Sequence, residues 1–175
     1  MNLNLHTDRL SLQPFTLKSA DRVAELAGDK AVASTTFVPH PYTLEMAEEW
    51  ISSHGEWIEN KIAFPFAITL KETGELIGTM TLRVDQKHQK GELAYWIGRP
   101  YWNKGYASEA AIKLTAFGLE EMNLHRIWSA AITTNPASTK VMQKAGLSYE
   151  GTLKHDVFHW GEYKDIDVYG LVKQD

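Results

Sequence analysis

Residues 95–108 read Tyr95-Trp96-Ile97-Gly98-Arg99-Pro100-Tyr101-Trp102-Asn103-Lys104-Gly105-Tyr106-Ala107-Ser108, and this stretch says most about the fold. It predicts a strand that ends near Ile97, a short loop, and a helix that begins at Gly105. The first amides of a helix lack partners within the helix and lie at the positive end of its dipole. The stretch therefore favours a phosphate site at the start of this helix, with Lys104 as an additional positive charge. A tight turn without a ligand is the alternative that the stretch by itself leaves open.

The hydrophobic pattern on both sides of this stretch alternates between the period of a strand and the period of a helix. Strands are predicted at residues 10–14, 64–70, 76–84, 92–97, 126–132, 147–158 and 163–172. Helices are predicted at residues 19–27, from 43 onward, at 105–122 and at 135–146. Asn135 followed by Pro136 is typical of a helix start, because Asn caps free amides and Pro needs no amide partner there. The pattern predicts a single α/β domain over residues 1–175, layered in the α+β manner, with seven strands and about four helices.

The composition fits a soluble protein of one domain. The chain has 175 residues, of which 43% are hydrophobic and 23% are charged, close to the averages for globular domains. It contains no cysteine, which excludes disulfides, a cysteine nucleophile and a zinc site with cysteine ligands. The net charge of -4 at pH 7 argues against direct binding to a nucleic-acid backbone. Because the sequence has neither a secretory signal nor an apolar run of about 18 residues, we expect a cytoplasmic protein that does not enter the membrane.

Several motifs around the loop stand in a recognisable order. They are Thr7-Asp8-Arg9-Leu10-Ser11-Leu12, Pro41-Tyr42-Thr43, Thr73-Gly74-Glu75-Leu76-Ile77-Gly78, Glu92-Leu93-Ala94-Tyr95-Trp96-Ile97, Asn135-Pro136-Ala137-Ser138, Lys144-Ala145-Gly146-Leu147 and Glu150-Gly151-Thr152-Leu153. In this order and spacing they resemble the GNAT superfamily of N-acetyltransferases, and more closely its RimJ/RimL branch. The resemblance covers nearly the whole chain. It implies the GNAT fold, a mixed, mostly antiparallel, twisted sheet flanked by helices.

The resemblance also implies that acetyl-CoA is a cosubstrate and that no metal is needed. Acetyl-CoA is expected where strand 92–97 splays from strand 126–132, with its pyrophosphate on the quoted loop. The cofactor-binding residues that the resemblance implies are Trp96, Ile97, Trp102, Asn103, Lys104, Gly105, Tyr106, Ala107, Ser108 and Asn135. Trp102 stands where the superfamily has Gln or Arg, so backbone amides are the expected phosphate ligands. Met142 stands where the superfamily often has a tyrosine acid, which excludes tyrosine catalysis from that position.

Two residues are the candidates for acid–base chemistry. Glu92 is the candidate base, because the family often has a carboxylate on this strand facing the acceptor; the alternative is a solvated glutamate at a strand start. Ser138 is the candidate proton donor to the CoA thiolate, or its hydrogen-bond partner; the alternative is a first-turn serine that satisfies local backbone. Asn135 has two compatible roles, as a helix cap and as a ligand of the pantetheine arm.

The acceptor is expected to be a primary amine. Phe37, His40 and Tyr42 lie in the loop where the family places acceptor-facing residues. A protein N-terminus, such as that of a ribosomal protein, needs only a weak base, because its α-amine has a pKa near 8. A small amine (a polyamine, an amino acid or an antibiotic) is the first alternative, and a non-catalytic CoA-binding sensor is the second. The family includes monomers and homodimers, and the sequence does not decide between them.

Two other patterns are given simpler interpretations. His155 and His159 are four residues apart, but they lie in a predicted hairpin rather than on a helix, and they lack the Glu of the HExxH motif. They are therefore not interpreted as a metal site. Trp50, Trp57 and Trp128 are interpreted as core residues.

Overall fold

The framework of the protein is one mixed sheet. The computed structural model describes residues 1–174, and in this range eight strands follow one another along the chain. They are β1 (Leu5–His6), β2 (Leu10–Pro14), β3 (Ala63–Leu70), β4 (Leu76–Asp85), β5 (Lys90–Ile97), β6 (Arg126–Ile132), β7 (Ser148–His159) and β8 (Glu162–Val172). Their order across the sheet is β1-β2-β3-β4-β5-β6-β8-β7. All neighbours are antiparallel except β5 and β6, which are parallel.

Six α-helices lie along this part of the chain, and side chains cap several of them. They are α1 (Ala20–Ala27), α2 (Lys30–Thr35), α3 (Leu44–Ser52), α4 (His54–Glu59), α5 (Tyr106–Ala116) and α6 (Pro136–Lys144). Thr43 caps α3 by accepting from the Met46 amide, and Asn135 caps α6 by accepting from the Ser138 amide. Residues Phe117–Glu121 continue α5 as a π-helical turn.

The helices cover both faces of the sheet. Phe66 and Ile68 of β3 pack in the cluster that contains Leu114 of α5 and Met142 of α6. Ala67, which points to the opposite face because side chains alternate along a strand, packs in the cluster that contains residues of α1 and α3. No helix within residues 1–174 combines the length and the apolar character that a bilayer span requires.

The predicted fold class is confirmed, and the counts differ by short elements. The seven predicted strands are found, and the additional β1 has two residues, too few for a period of two to be visible. The four predicted helices are also found. The helices that the sequence did not indicate, α2 and α4, have six residues each and show less than two turns of periodicity. The loop that contains Phe37, His40 and Tyr42 therefore begins after Thr35, where α2 ends.

Candidate active site

The central strands of the sheet pair at one end and separate at the other. β5 and β6 are in register at three positions, Lys90 with Arg126, Gly91 with Ile127 and Glu92 with Trp128. Beyond these pairs the Ser129 hydroxyl donates to the Leu93 carbonyl over 2.7 Å, so a side chain replaces the next backbone bond. The predicted splay between these two strands is therefore present. It leaves backbone groups of β5 available to a ligand.

The splay opens into a cavity of about 1590 Å³. β5 and β6 form two of its sides, and the beginnings of α5 and α6 form a third. Residues of α2, α3 and the loop between them line a further side. A pocket for one drug-sized ligand has roughly 300–1,000 Å³, so this cavity has room for a cofactor arm and a second substrate.

The start of α5 has the properties of an anion site. Gly105 is the N-cap and has a φ of 79°, a left-handed conformation that glycine adopts without steric penalty. Asn103 also has a positive φ, of 59°. No side chain within the described residues caps α5, so its first amides are free to bind an anion. The predicted ligands Gly105, Tyr106, Ala107 and Ser108 lie together on the cavity wall at this point.

Of the other predicted residues of the loop, Trp102 lines the cavity and Lys104 does not. Trp102 lines the cavity, but its indole N–H donates to the Ile97 carbonyl over 2.6 Å and its backbone N–H donates to Arg99. Both of its donors therefore stabilise the loop itself. The Lys104 ammonium lies 5.8 Å from the centre of the Tyr101 ring. Lys104 is not part of the cavity wall, although its neighbours Asn103 and Gly105 are.

A partly exposed network of hydrogen bonds that the sequence did not indicate holds α5 to the start of the sheet. Arg9 donates through Nε to the Glu109 carboxylate over 2.7 Å and through its backbone amide over 2.9 Å. The Thr7 hydroxyl donates to the same carboxylate, and Arg9 also donates to the Lys104 carbonyl over 3.0 Å. Burial alone would raise the pKa of Glu109, but the hydrogen bonds from Thr7 and Arg9 outweigh it and hold this pKa below its ordinary value. Thr7 and Arg9 belong to one short motif of the sequence, but nothing in that motif indicated Glu109 as their partner.

Two hydroxyl groups meet inside the splay. The hydroxyl of Tyr95, on β5, lies 2.7 Å from the Ser138 hydroxyl and 3.1 Å from the Ser138 carbonyl, at the start of α6. Burial raises the pKa of Tyr95 to about 12, although the hydrogen bond with Ser138 acts in the opposite direction. The candidate Ser138 is thus on the cavity wall. Tyr95, its partner, was not among the candidates, because the two residues are 43 positions apart.

The side chain of Asn135 has two partners within the protein. Its oxygen accepts from the Ser138 amide over 3.3 Å, which is the predicted cap. Its nitrogen donates to the Thr35 carbonyl over 3.3 Å and so connects α6 to the end of α2. Asn135 also lines the cavity, where its binding to pantetheine stays a prediction.

Glu92 lies on the cavity wall, opposite a cation. Its carboxylate is 3.5 Å from the Arg83 guanidinium, and the two residues are partners in the β4–β5 register. The Glu92 side chain is 29% exposed, so it reaches both the cavity and water. Two further carboxylates, Asp85 and Glu49, line the cavity, and Asp85 lies 3.8 Å from the Lys90 ammonium.

The predicted acceptor residues divide into two groups. Phe37 and Tyr42 line the cavity. His40 is outside its wall and lies against Trp160 at the turn between β7 and β8, with ring centres 6.1 Å apart. Phe37 also contacts this hairpin, because its ring meets the His159 ring edge-on at 5.7 Å. The loop between α2 and α3 is therefore supported by the hairpin.

The three tryptophans predicted in the core line the cavity, and Trp50 also packs against the core cluster that contains residues of α1 and α3. Trp50, Trp57 and Trp128 are each partly exposed to it, because cavity and core draw on the same apolar residue types. Behind Trp50 and Trp57 lies His54, which is 4% exposed and has no hydrogen-bond partner within the described residues. Its ring is 4.3 Å from that of Trp50. Burial lowers the pKa of His54 to about 4, so this ring is neutral at pH 7.

The histidines of the hairpin do not form a metal site with their neighbours. His155 stacks on Tyr163, with ring centres 6.4 Å apart, whereas the His159 ring is 3.2 Å from the Ser34 carbonyl. Within residues 1–174, no group of three or more His, Cys, Asp or Glu side chains is arranged to hold a metal ion.

The chain is similar to a known family and to proteins of matching length. The family model described as an acetyltransferase (GNAT) domain matches residues 9–148. The chain is 31% identical to the uncharacterized N-acetyltransferase p20 of Bacillus licheniformis, over 98% of this chain and 97% of that protein. It is 30% identical to the uncharacterized N-acetyltransferase YoaA of Bacillus subtilis (strain 168), over 97% of this chain and 96% of that protein. A solved GNAT-family acetyltransferase from Bacillus anthracis has 28% identity and a TM-score of 0.85, covering 97% of this chain and 98% of that one.

Two more distant solved structures share the fold. The ribosomal-protein-S5-alanine acetyltransferase of Vibrio fischeri has 21% identity and a TM-score of 0.88, covering 99% of this chain and 98% of that one. The spermidine N-acetyltransferase of Vibrio cholerae, solved with CoA and spermine, has 20% identity and a TM-score of 0.82, covering 95% and 96%. Their names specify two different kinds of amine acceptor for the same architecture.

Proposed function

The chain belongs to the GNAT acetyltransferase family, and from this premise we propose that it transfers the acetyl group of acetyl-CoA directly to the α-amine of a protein N-terminus. Its enzyme class is that of the N-acetyltransferases, as its full-length relatives are named. The proposal concerns the acceptor, the site residues and the direct transfer between them.

The splay and the start of α5 support acetyl-CoA as the donor. The free amides at Gly105–Ser108 suit the pyrophosphate, because they are convergent donors at the positive end of a helix. The separated edge of β5 near Trp96 and Ile97 suits the amide groups of the pantetheine arm, which pair with backbone as a strand does. Asn135 and Ser138 line the cavity at the start of α6 and would face the thioester end.

The ion pairs formed by the carboxylates of the cavity support an α-amine as the acceptor. Two of the three carboxylates on its wall, Asp85 and Glu92, each face a cation, Lys90 and Arg83 respectively. A polyamine brings several positive charges and needs several carboxylates that are not already paired. Glu49 is the third carboxylate, and within residues 1–174 it forms no ion pair. This balance suits an acceptor with one positive charge.

The acid–base demand of the reaction supports the same choice. An α-amine has a pKa near 8, so removing its proton at pH 7 costs about 1 kcal/mol, against roughly 4–5 kcal/mol for a side-chain amine near 10.4. A carboxylate is a much weaker base than either amine. Glu92 can therefore assist an amine that is already partly neutral, directly or through one water molecule.

In the proposed reaction, Glu92 acts on the attacking nitrogen and Ser138 acts on the leaving sulfur. The neutral nitrogen forms the new C–N bond, the C–S bond breaks, and its electron pair goes to sulfur. Ser138 donates a hydrogen bond to that sulfur, and Glu92 takes the proton that the nitrogen loses. The products are the acetylated amine and the CoA thiolate, which takes up a proton from water when it leaves.

A thiol-release assay with acetyl-CoA tests the proposal. The acceptors are peptides with free N-termini, matched N-blocked peptides that contain lysine, polyamines and amine antibiotics. Turnover with the free N-termini alone is the expected result. Turnover with the blocked lysine peptides at the same rate would exclude α-amine selectivity.

A small-molecule amine is the second candidate. The spermidine enzyme of Vibrio cholerae has the same fold, and Glu49 in this cavity is a carboxylate available to a cationic acceptor. Turnover with polyamines alone would favour this candidate. Binding of acetyl-CoA in calorimetry without turnover on any acceptor would favour a non-catalytic sensor.

A further inference from the structure

In the contact between the Tyr95 and Ser138 hydroxyls, one hydroxyl donates the hydrogen bond and the other accepts it. We propose that Tyr95 is a positioning residue, whose hydroxyl donates to Ser138 and so leaves the Ser138 proton pointing at the sulfur of the bound thioester. This inference rests on the proposed function, because it assigns how one residue of the same site is held.

The chemistry of the pair sets the direction of the bond. Each hydroxyl has one proton, so one residue of the pair must be the acceptor. A phenol is a stronger acid than an aliphatic alcohol, which makes Tyr95 the better donor. Its nearer acceptor is the Ser138 hydroxyl oxygen at 2.7 Å, whereas the Ser138 carbonyl is 3.1 Å away. When Tyr95 donates to the hydroxyl oxygen, the Ser138 proton is free for a third group.

Apart from Tyr95, no group within residues 1–174 is hydrogen-bonded to the Ser138 hydroxyl, so its proton is available to a ligand in the cavity. The backbone amide of Ser138 donates to the Asn135 side chain, and Tyr95 occupies the side of β5. The remaining side of the residue faces the cavity, which it lines together with Trp96 and Ala131. The raised pKa of Tyr95 keeps its hydroxyl protonated, and therefore able to donate, across the whole range in which an α-amine reacts.

The position of Tyr95 explains why the pair lies at the point of reaction. Tyr95 is on the part of β5 that no longer pairs with β6. Its hydroxyl bond to Ser138 therefore connects β5 to α6 across the splay, where no backbone hydrogen bonds join the two strands. During transfer the electron pair of the C–S bond goes to sulfur, Ser138 donates a hydrogen bond to it, and Tyr95 keeps its own proton. No net proton leaves Tyr95 in the step.

A double-mutant cycle on turnover tests the inference. Tyr95→Phe removes the hydroxyl and keeps the ring, and we expect kcat to fall about tenfold with less than about twofold change in the KM of acetyl-CoA. The same change in a Ser138→Ala background should have no further effect, because Tyr95 acts through Ser138. Tyr169→Phe is the matched control, since Tyr169 is a 5%-exposed tyrosine outside the cavity. Equal losses from Tyr95→Phe in both backgrounds would overturn the inference.

Two further measurements separate positioning from folding and from the choice of acceptor. Ser138→Thr keeps a hydroxyl, so it should respond to Tyr95→Phe as the wild-type protein does. The pKa of the thiol of bound CoA, followed by thiolate absorbance, needs no acceptor. It should be about one pH unit lower in the wild-type protein than in Tyr95→Phe or Ser138→Ala. Equal values in all three proteins would overturn the inference, whereas a shifted value without turnover would overturn only the proposed function.

Discussion

The Nε atom of Arg9 lies 2.7 Å from a carboxylate oxygen of Glu109, and this bond joins the entrance of β2 to the first turns of α5. Glu109 is 100 residues away along the chain and accepts three hydrogen bonds from Arg9 and Thr7. The same guanidinium donates to the Lys104 carbonyl. The loop that precedes α5 is therefore held by a residue that lies just before β2, 95 residues earlier in the sequence.

We predict that Glu109→Gln lowers the free energy of unfolding by about 1 kcal/mol at pH 7, because charged hydrogen bonds to a partly buried carboxylate are lost. The pKa of Glu109 is lowered in the folded protein, so its contribution is present above the unfolded value near 4.3 and is lost as pH falls through the folded value. Urea unfolding of both proteins at pH 7 and at low pH measures the difference. It should shrink towards zero at low pH, and Glu120→Gln, an exposed change farther along the chain, should have little effect at either pH.

Because His54 is buried without a partner, the free energy of unfolding is predicted to fall as the pH falls. Its folded pKa of about 4 lies below the unfolded value near 6.5, so the unfolded chain binds more protons between these values. This group should lower the free energy of unfolding by up to about 1.4 kcal/mol for each pH unit as pH falls from 6.5 towards 4. His54→Phe, measured beside the wild-type protein across this window, should remove that part of the slope. Parallel curves for the two proteins would contradict the assignment.

We predict that Glu92→Gln lowers kcat/KM by about 10–100-fold, because the amine loses its proton acceptor while the size of the side chain is preserved. The effect should be largest near pH 7, where most of the α-amine is protonated, and should decrease towards pH 9. Steady-state rates between these values provide the measurement. Glu72→Gln, in the exposed turn between β3 and β4, is the control that should retain the wild-type rate. Full activity of Glu92→Gln at every pH would remove this carboxylate from the reaction.

The different placements of Phe37 and His40 predict different effects on the acceptor. Phe37 lines the cavity, so Phe37→Ala should raise the KM of the acceptor about 5–10-fold through lost apolar contact, with little change in the KM of acetyl-CoA. His40 lies outside the cavity wall against Trp160, so His40→Ala should change the acceptor KM by less than about twofold. Initial rates with varied acceptor distinguish them. A larger effect from His40→Ala than from Phe37→Ala would show that the acceptor follows the hairpin instead.

Local signals in the sequence were enough for the elements around the site. The caps Thr43 and Asn135 and the glycine at 105 set the starts of three helices through bonds and dihedral angles within a few residues. Two features need more than local signals. The splay of β5 from β6 came from family resemblance, because a hydrophobic period specifies a strand but not where two strands part. Short elements such as α4 gave no usable period.

By itself the sequence determined the fold class, the loop that precedes α5 and the choice of Glu92 and Ser138 as candidate residues. Only the tertiary structure decided the partners of these residues: Tyr95 for Ser138, Arg83 for Glu92 and Glu109 for Arg9. It also placed Trp128 on the cavity wall and His40 outside it. The physical reason is that strands and caps depend on neighbours along the chain, whereas contacts between side chains depend on sheet register and on which face each strand presents.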